Sequence, residues 1–379
     1  MPKICICIAM LSLIIFSACS SGIQGNGSNL QSKTIQNTGY DPKKSPSNSN
    51  GDPKPTIDTI GFLEPTGTGK SADIVNRTAR NLSFVAFFSY RVKPDGSLIP
   101  LKDANSLQAV KNSPAKPLLV ITNFAGGTFS PDIGHAILTH SAVQNQLINN
   151  VIQVMKTKNY AALNVDFEHL LPEDRDRYTT FLRKLVPRLH KAGFPVSSAL
   201  APKTSAKQSG PWYTAHDYGA HGKIMDFVIL MTYEWGWTGG PPMAVAPINQ
   251  VKKVLDFAVT KIPRKNIMMG MPMYGYDWTL PYKKGGPPAK RIGLQEAAQL
   301  AKATGAKVLY DEKAQSPHFY YTDHSGKKHV VWYENRQSLQ AKFNLVKQYG
   351  LRGISYWELG PSAPENWSLL RQNFHIKRH

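Results

Sequence analysis

The run Asn164-Val165-Asp166-Phe167-Glu168 carries three polar side chains at alternate positions. In a β-strand this spacing puts Asn164, Asp166 and Glu168 on one face and Leu163, Val165 and Phe167 on the other. Carboxyls at i and i+2 lie roughly 6–7 Å apart along the backbone. Once both leave water, repulsion and desolvation keep one protonated near neutral pH. A protonated carboxyl beside an ionisable one is the arrangement that delivers a proton to a glycosidic oxygen. A buried carboxylate pair satisfied by backbone donors would give the same pattern, and these five residues alone do not separate the two readings.

The surrounding chain says what must position them. From Thr56 onward, short β-rich runs alternate with helical patterns, which predicts a parallel sheet with crossover helices. Eight such runs are present: Thr59–Leu63, Leu82–Tyr90, Pro117–Phe124, Ala161–Glu168, Pro195–Leu200, Met225–Tyr233, Ile267–Tyr274 and Gly353–Glu358. Helical stretches such as Gln144–Lys158, Pro172–Ala192 and Pro247–Lys261 lie between them. Eight strand–helix units predict an α/β fold, a (β/α)8 TIM barrel, with its chemistry at the C-terminal ends of the strands. The apolar face of the fourth run then meets the helices and the polar face points into the barrel. The seventh and eighth runs are too far apart for one helix. Residues 280–335, rich in Gly, Pro, Lys and Tyr and with a hairpin at Asp323-His324-Ser325-Gly326, predict a small α+β insertion walling one side of a cleft.

The amino terminus reads as an address. Lys3 precedes an uncharged apolar stretch, Ile4–Ala18, of the length of a signal-peptide core and short for a membrane span. It ends Phe16-Ser17-Ala18-Cys19, which resembles a bacterial lipoprotein box, so residues 1–19 are expected to export the chain and leave a lipidated Cys19. Residues 20–55, dominated by Ser, Gly, Asn, Pro, Gln and Lys, bury too little apolar surface to fold and are expected to be a tether. The catalytic domain is then 56–379, and it carries 40 basic against 23 acidic residues, +17 of the chain's formal +20. Cys5, Cys7 and Cys19 are the only cysteines among 379 residues, which excludes a disulfide framework or Cys-ligated metal in the folded body. Lys and Arg are scattered without a recognition motif, which argues against nucleic acid. Gly67-Thr68-Gly69-Lys70-Ser71 imitates a phosphate loop, but Glu64 stands where the pattern needs glycine. His216 and His221 lack a third ligand and read as loop residues, while His169 is expected on the opposite strand face from Glu168. No metal and no cofactor are implied.

With these residues in place, the chain resembles the family-18 glycoside hydrolases, the chitinase-like family, whose fourth strand reads Asp-Gly-x-Asp-x-Asp-x-Glu. The corresponding stretch is Ala161-Ala162-Leu163-Asn164-Val165-Asp166-Phe167-Glu168, with the last Asp and the Glu matching, Ala161-Ala162 replacing Asp-Gly and Asn164 replacing the middle Asp. Met231-Thr232-Tyr233-Glu234-Trp235 is similar to the family's sixth-strand Met-x-Tyr-Asp, Gly270–Trp278 to its seventh strand, and Tyr356-Trp357-Glu358-Leu359 to its tryptophan strand. Asn164, Ser198-Ala199-Leu200-Ala201-Pro202-Lys203 and Gly353–Leu359 look like the bacterial branch that includes spore-cortex-lytic N-acetylglucosaminidases. That branch commonly carries LysM wall-binding modules, which this chain lacks, so wall targeting is expected from the lipid anchor or the basic surface.

The resemblance implies substrate-assisted, retaining hydrolysis at N-acetylglucosamine. Glu168 would protonate the glycosidic oxygen while the substrate's 2-acetamido oxygen attacks the anomeric carbon. Asp166 would orient the acetamido N–H, with Asn164 hydrogen-bonded to it, and the Tyr233 hydroxyl would hold the acetamido oxygen. Trp357 would be the floor under the sugar in subsite −1, against the plainer reading of barrel-core packing. Tyr274 and Glu234 are candidate pocket-wall contacts that could instead pack or pair. The implied partners are an N-acetylglucosamine-containing glycan, a membrane through the lipid anchor and an anionic cell wall, with the protein a monomer. A chitinase or chitooligosaccharide hydrolase, and a non-catalytic glycan-binding protein on the same barrel, remain the alternatives; the second is disfavoured by an intact Glu168.

Overall fold

The computed structural model describes residues 53–360 and 363–379. The expected signal segment, Cys19 and residues 20–52 of the tether lie outside them. Eight parallel strands close into a barrel: Thr56–Leu63, Phe84–Val92, Lys116–Thr122, Ala162–Asp166, Val196–Leu200, Phe227–Leu230, Ile267–Pro272 and Gly353–Leu359, hereafter barrel strands 1 to 8. Closure is made by strand 1, which pairs with strand 2 on one side (Ile60↔Phe84) and strand 8 on the other (Asp58↔Gly353). Each expected run overlaps one of these strands, with ends that differ by a few residues, because a strand covered on both faces reads as a nearly continuous apolar stretch.

Two apolar layers hold the barrel. Inside it, Ile60, Phe62, Phe84, Ala86, Leu118, Val120, Ala162, Phe227, Ile229 and Met268 form a closed cluster. Strand 4 contributes Ala162 to that cluster and, two and four residues on, Asn164 and Asp166, so its inward face turns from apolar to polar towards the C-terminal rim. On the outside, Leu163, Val165 and Phe167 meet the helices. Phe167 stacks on Tyr178 and Phe181 at ring-centroid distances of 5.9 and 6.1 Å. Those two belong to helix Arg175–Lys191, which buries Tyr178, Phe181, Leu182, Leu185, Val186 and Leu189, a stripe at three- and four-residue spacing. The expected helix over Pro172–Ala192 begins instead with a 3₁₀ turn, Pro172–Asp174, whose proline suits an N-terminal position. Helix Ser141–Lys158 ends on Asn159, in the left-handed conformation that closes a helix C-terminus. No helix among the described residues is long and apolar enough to cross a membrane.

Between strands 7 and 8 the chain forms a five-stranded antiparallel sheet with one helix, Leu294–Ala303. Its strands are Tyr274–Leu280, Lys290–Gly293, Leu309–Asp311, Ser316–Thr322 and Lys328–Trp332. The sheet therefore starts at Tyr274, before residue 280, and Tyr274 belongs to it and not to barrel strand 7. The change of partner is abrupt. Met273 N–H still donates to the Trp357 carbonyl of strand 8 at 2.8 Å. Gly275 then passes so close to strand Lys328–Trp332 that a Cβ there would lie 2.2 Å from the Trp332 carbonyl oxygen. The hairpin at Asp323–Gly326 forms, with Asp323 Oδ1 accepting from the Ser325 and Lys327 amides, both at 2.9 Å.

Candidate active site

The two acidic side chains of strand 4 end side by side at the barrel's C-terminal rim, Asp166 4% and Glu168 7% exposed. Strand pairing stops at Thr122↔Asp166, two residues before Glu168. What carries Glu168 onward is Asn123, the residue after strand 3. Its side chain acts as a substitute strand: Oδ1 accepts from the Glu168 amide at 3.0 Å, and Nδ2 donates to the Glu168 carbonyl at 2.8 Å and to the Ser130 carbonyl at 2.9 Å. Sequence reasoning missed Asn123, although a polar residue just past the apolar run Leu118–Ile121, at a strand's C-terminal end, was a usable signal. Asn123→Ala leaves a buried backbone donor and acceptor unpaired, so it is expected to lower stability by about 2–4 kcal/mol and to slow turnover at least ~tenfold. Urea denaturation together with kcat on N-acetylglucosamine oligomers checks both.

Burial raises both carboxyls. Asp166 is pushed up to about 7 by desolvation. Glu168 is raised further, first by desolvation and then by the charges of Asp166 and Glu234, against the Trp212 indole donor. The pair therefore holds a shared proton at neutral pH, with Glu168 the stronger holder. The expected hydrogen bond from Asn164 to Asp166 is not made. Asn164 Oδ1 instead accepts from Ser197 Oγ at 2.9 Å, because Ser197 is its registered neighbour on strand 5, and Asn164 Nδ2 and Asp166 Oδ1 have no protein partner.

Tyr233 sits three residues past strand 6 and is 8% exposed. Burial and the nearby charges of Asp166, Glu168 and Glu234 raise its phenol far above the usual range. Gly270 of strand 7 makes room for it, since a Cβ there would be 2.8 Å from Tyr233 Cε1. Glu234 follows in the left-handed region (φ 68°), an unfavourable place for a non-glycine residue and one found preferentially at functional sites. It pairs with Tyr274 and Tyr276: both hydroxyls donate to Glu234 Oε1, that of Tyr276 at 3.0 Å.

Trp357 on strand 8 is half-buried, with Phe62 and Phe88 edge-on at 5.6 and 4.7 Å. It thus packs against the interior apolar cluster, as the plainer reading has it, and keeps part of its ring surface exposed. Beside it, Glu358 pairs with Arg291 of the insertion at 3.0 Å, and the Arg291 guanidinium lies 3.9 Å above the centre of the Tyr274 ring. Burial, opposed by Arg291 and reinforced by Glu64, pushes Glu358 up to about 7. The pairing of Arg291 with Glu358 had no signal in the sequence because it depends on how the insertion docks.

His169 departs from its expected placement. The strand has ended, its φ is 53°, and its ring stacks on Trp212 at 6.3 Å. His216 lies in a loop as expected, whereas His221 belongs to helix Tyr218–Ile224; each is at most 1% exposed, and burial drives their imidazoles down to about 4 and about 3. No cluster of three or more His, Cys, Asp or Glu able to hold a metal occurs among the described residues.

A carboxyl kept neutral by burial and by the charge of its neighbour, at the C-terminal mouth of a closed parallel barrel, has the chemistry of glycosidic cleavage, and the class so defined is the (β/α)8 glycoside hydrolases. The family model described as Glycosyl hydrolases family 18 matches residues 59–361, and the chain belongs to that family. It is 43% identical over 330 residues to the cortical fragment-lytic enzyme of Bacillus subtilis (strain 168), covering 86% of this chain and 76% of that protein. Among solved structures, the spore cortex-lytic enzyme SleL of Bacillus cereus superposes with a TM-score of 0.83 at 42% identity, over 86% of this chain and 76% of that one. The Bacillus megaterium SleL gives 0.82 at 42%, over 88% and 77%.

Proposed function

We propose that this protein is a retaining hydrolase of β-1,4-linked N-acetylglucosaminyl bonds in bacterial cell-wall or spore-cortex peptidoglycan. The observation that carries the reading is the buried Asp166–Glu168 pair with Tyr233 facing it. Glu168 gives its proton to the glycosidic oxygen as the C1–O bond breaks, and the substrate's acetamido oxygen closes on C1 to form an oxazolinium. Asp166 takes the acetamido N–H and steadies the developing positive charge, and the Tyr233 hydroxyl holds the acetamido oxygen in line. Water then attacks C1, Glu168 takes its proton, and the ring opens with retained configuration. Trp357 is the floor of subsite −1, and Tyr274 and Glu234 line its wall as a bonded pair.

This chemistry requires an N-acetylated sugar at the cleaved position, so in a glycan containing muramic lactam the cut falls after N-acetylglucosamine. Similarity to cortex-lytic relatives favours peptidoglycan over chitin, and so does the +17 charge of residues 56–379, which suits a wall rich in carboxylates and phosphates. In this reading Cys19 carries the lipid and the exported protein works from the membrane surface. Digestion of purified cortex glycan and of chitin oligomers, with the new reducing ends identified, tests it. N-acetylglucosamine at the new reducing end of cortex glycan, at a higher kcat/KM than chitin, is expected. Preference for chitin, muramic ends, or binding without cleavage would each reject it. Wall binding is expected to weaken as salt is raised.

A further inference from the structure

The loop between barrel strand 5 and helix Tyr218–Ile224 brings Trp212 onto the carboxyl of Glu168, where the indole N–H donates to Oε2. The contact is built rather than incidental, because the loop is tied down on both sides. Lys203, 4% exposed, donates from Nζ to the carbonyls of Tyr213 (3.1 Å) and His216 (3.2 Å). The His216 ring bridges to strand 4: Nδ1 accepts from the Ala201 amide at 2.8 Å and Nε2 donates to the Phe167 carbonyl at 2.9 Å, next in chain to Glu168. Held neutral by burial, His216 keeps the one tautomer that serves both bonds. On its other side the Trp212 ring stacks on His169.

Resting on the hydrolase reading above, we propose that Trp212 is a positioning residue for the general acid: its N–H holds Oε2 of Glu168 and leaves Oε1 as the oxygen that presents the proton to the glycosidic bond. A carboxyl free to rotate presents the proton in many directions; one pinned at a single oxygen presents it in one. Glu168 is faced by the carboxyls of Asp166 and Glu234 and the phenols of Tyr233 and Tyr178. The carboxyl charges raise it, whereas the Trp212 donor stabilises the ionised form, so removing that donor raises it further.

The test is Trp212→Phe, which keeps a ring for His169 and deletes the N–H. It is read on two substrates: an N-acetylglucosamine oligomer, whose sugar leaving group needs the proton, and an aryl glycoside of the same oligomer, whose phenolate leaves without it. W212F is expected to lower kcat on the oligomer about 10- to 100-fold and on the aryl glycoside only a few-fold, with the alkaline limb of kcat/KM moved up by about one pH unit. Equal losses on both substrates, a change in KM alone, or an unmoved limb would overturn the proposal. His169→Ala, which removes the stack and spares the donor, is expected to leave the limb in place; if it moves the limb as W212F does, the effect belongs to stacking and the proposal fails. Wild-type protein that cleaves neither substrate sinks the hydrolase reading itself, a result distinct from wild-type cleavage of both with an unmoved limb in W212F.

Discussion

Glu168→Gln is expected to reduce hydrolysis of N-acetylglucosamine oligomers by roughly a thousandfold, because it removes the proton that must reach the leaving oxygen. The substitution is nearly isosteric. The amide oxygen of the introduced glutamine can still accept from the Trp212 indole, and the backbone clamp from Asn123 does not involve the side chain at 168. The fold and the affinity for glycan are therefore expected to survive, so the loss appears in kcat with little change in KM. An aryl glycoside isolates the cause: its first step needs no proton, so its loss is smaller. Reducing-end release from the oligomer is the measurement, and full activity in E168Q would remove Glu168 from the mechanism.

Asp166→Asn is expected to move activity and stability in opposite directions. Turnover falls, by about 10²- to 10³-fold, since the charge that balances the developing cation is gone. The alkaline limb of the remaining activity moves to lower pH, because the Asp166 charge is one of the influences holding Glu168 up. Stability moves the other way. Burial raises the Asp166 carboxyl from its ordinary 3.8 to about 7, so the folded state resists its ionisation. Below about pH 4 both folded and unfolded chains hold the proton and the group is neutral in its effect. Between about 4 and 7 only the unfolded chain gives the proton up, and the penalty on folding grows to a plateau. D166N escapes it, and is expected to be about 2–4 kcal/mol more stable than wild type above pH 7 and equal to it near pH 4. Thermal melts of both proteins from pH 4 to 8 check the sign. A gain that does not grow with pH would mean Asp166 is not the buried, reluctant acid the geometry makes it.

The same burial explains why so much of the barrel is readable in one dimension. Strands covered by helices outside and side chains inside must be apolar along most of their length, so they stand out as runs such as Leu118–Ile121 and Ile267–Met269. Against that background Asn164, Asp166 and Glu168 are conspicuous, because alternation sends all three towards the barrel and desolvation makes three polar groups there expensive without a use. Where strands end was harder to read. Ile267–Tyr274 looked continuous, yet its last residue pairs with Gly293 of the insertion, since an apolar run does not reveal which neighbour it will bond to.

Sequence alone determined the strand count and the inward face of strand 4, and marked Asp166, Glu168, Tyr233 and Trp357 as candidates, because each is expressed in local period or in motif order. Only the tertiary structure decided how Glu168 is held. Asn123 reaches it across 45 positions and Trp212 across 44, Asn164 turns to Ser197 rather than to Asp166, and Arg291 comes from the insertion to Glu358. Hydrogen bonds of that kind depend on the register of neighbouring strands and the path of the loops above them, which the closing of the barrel sets and no local pattern records.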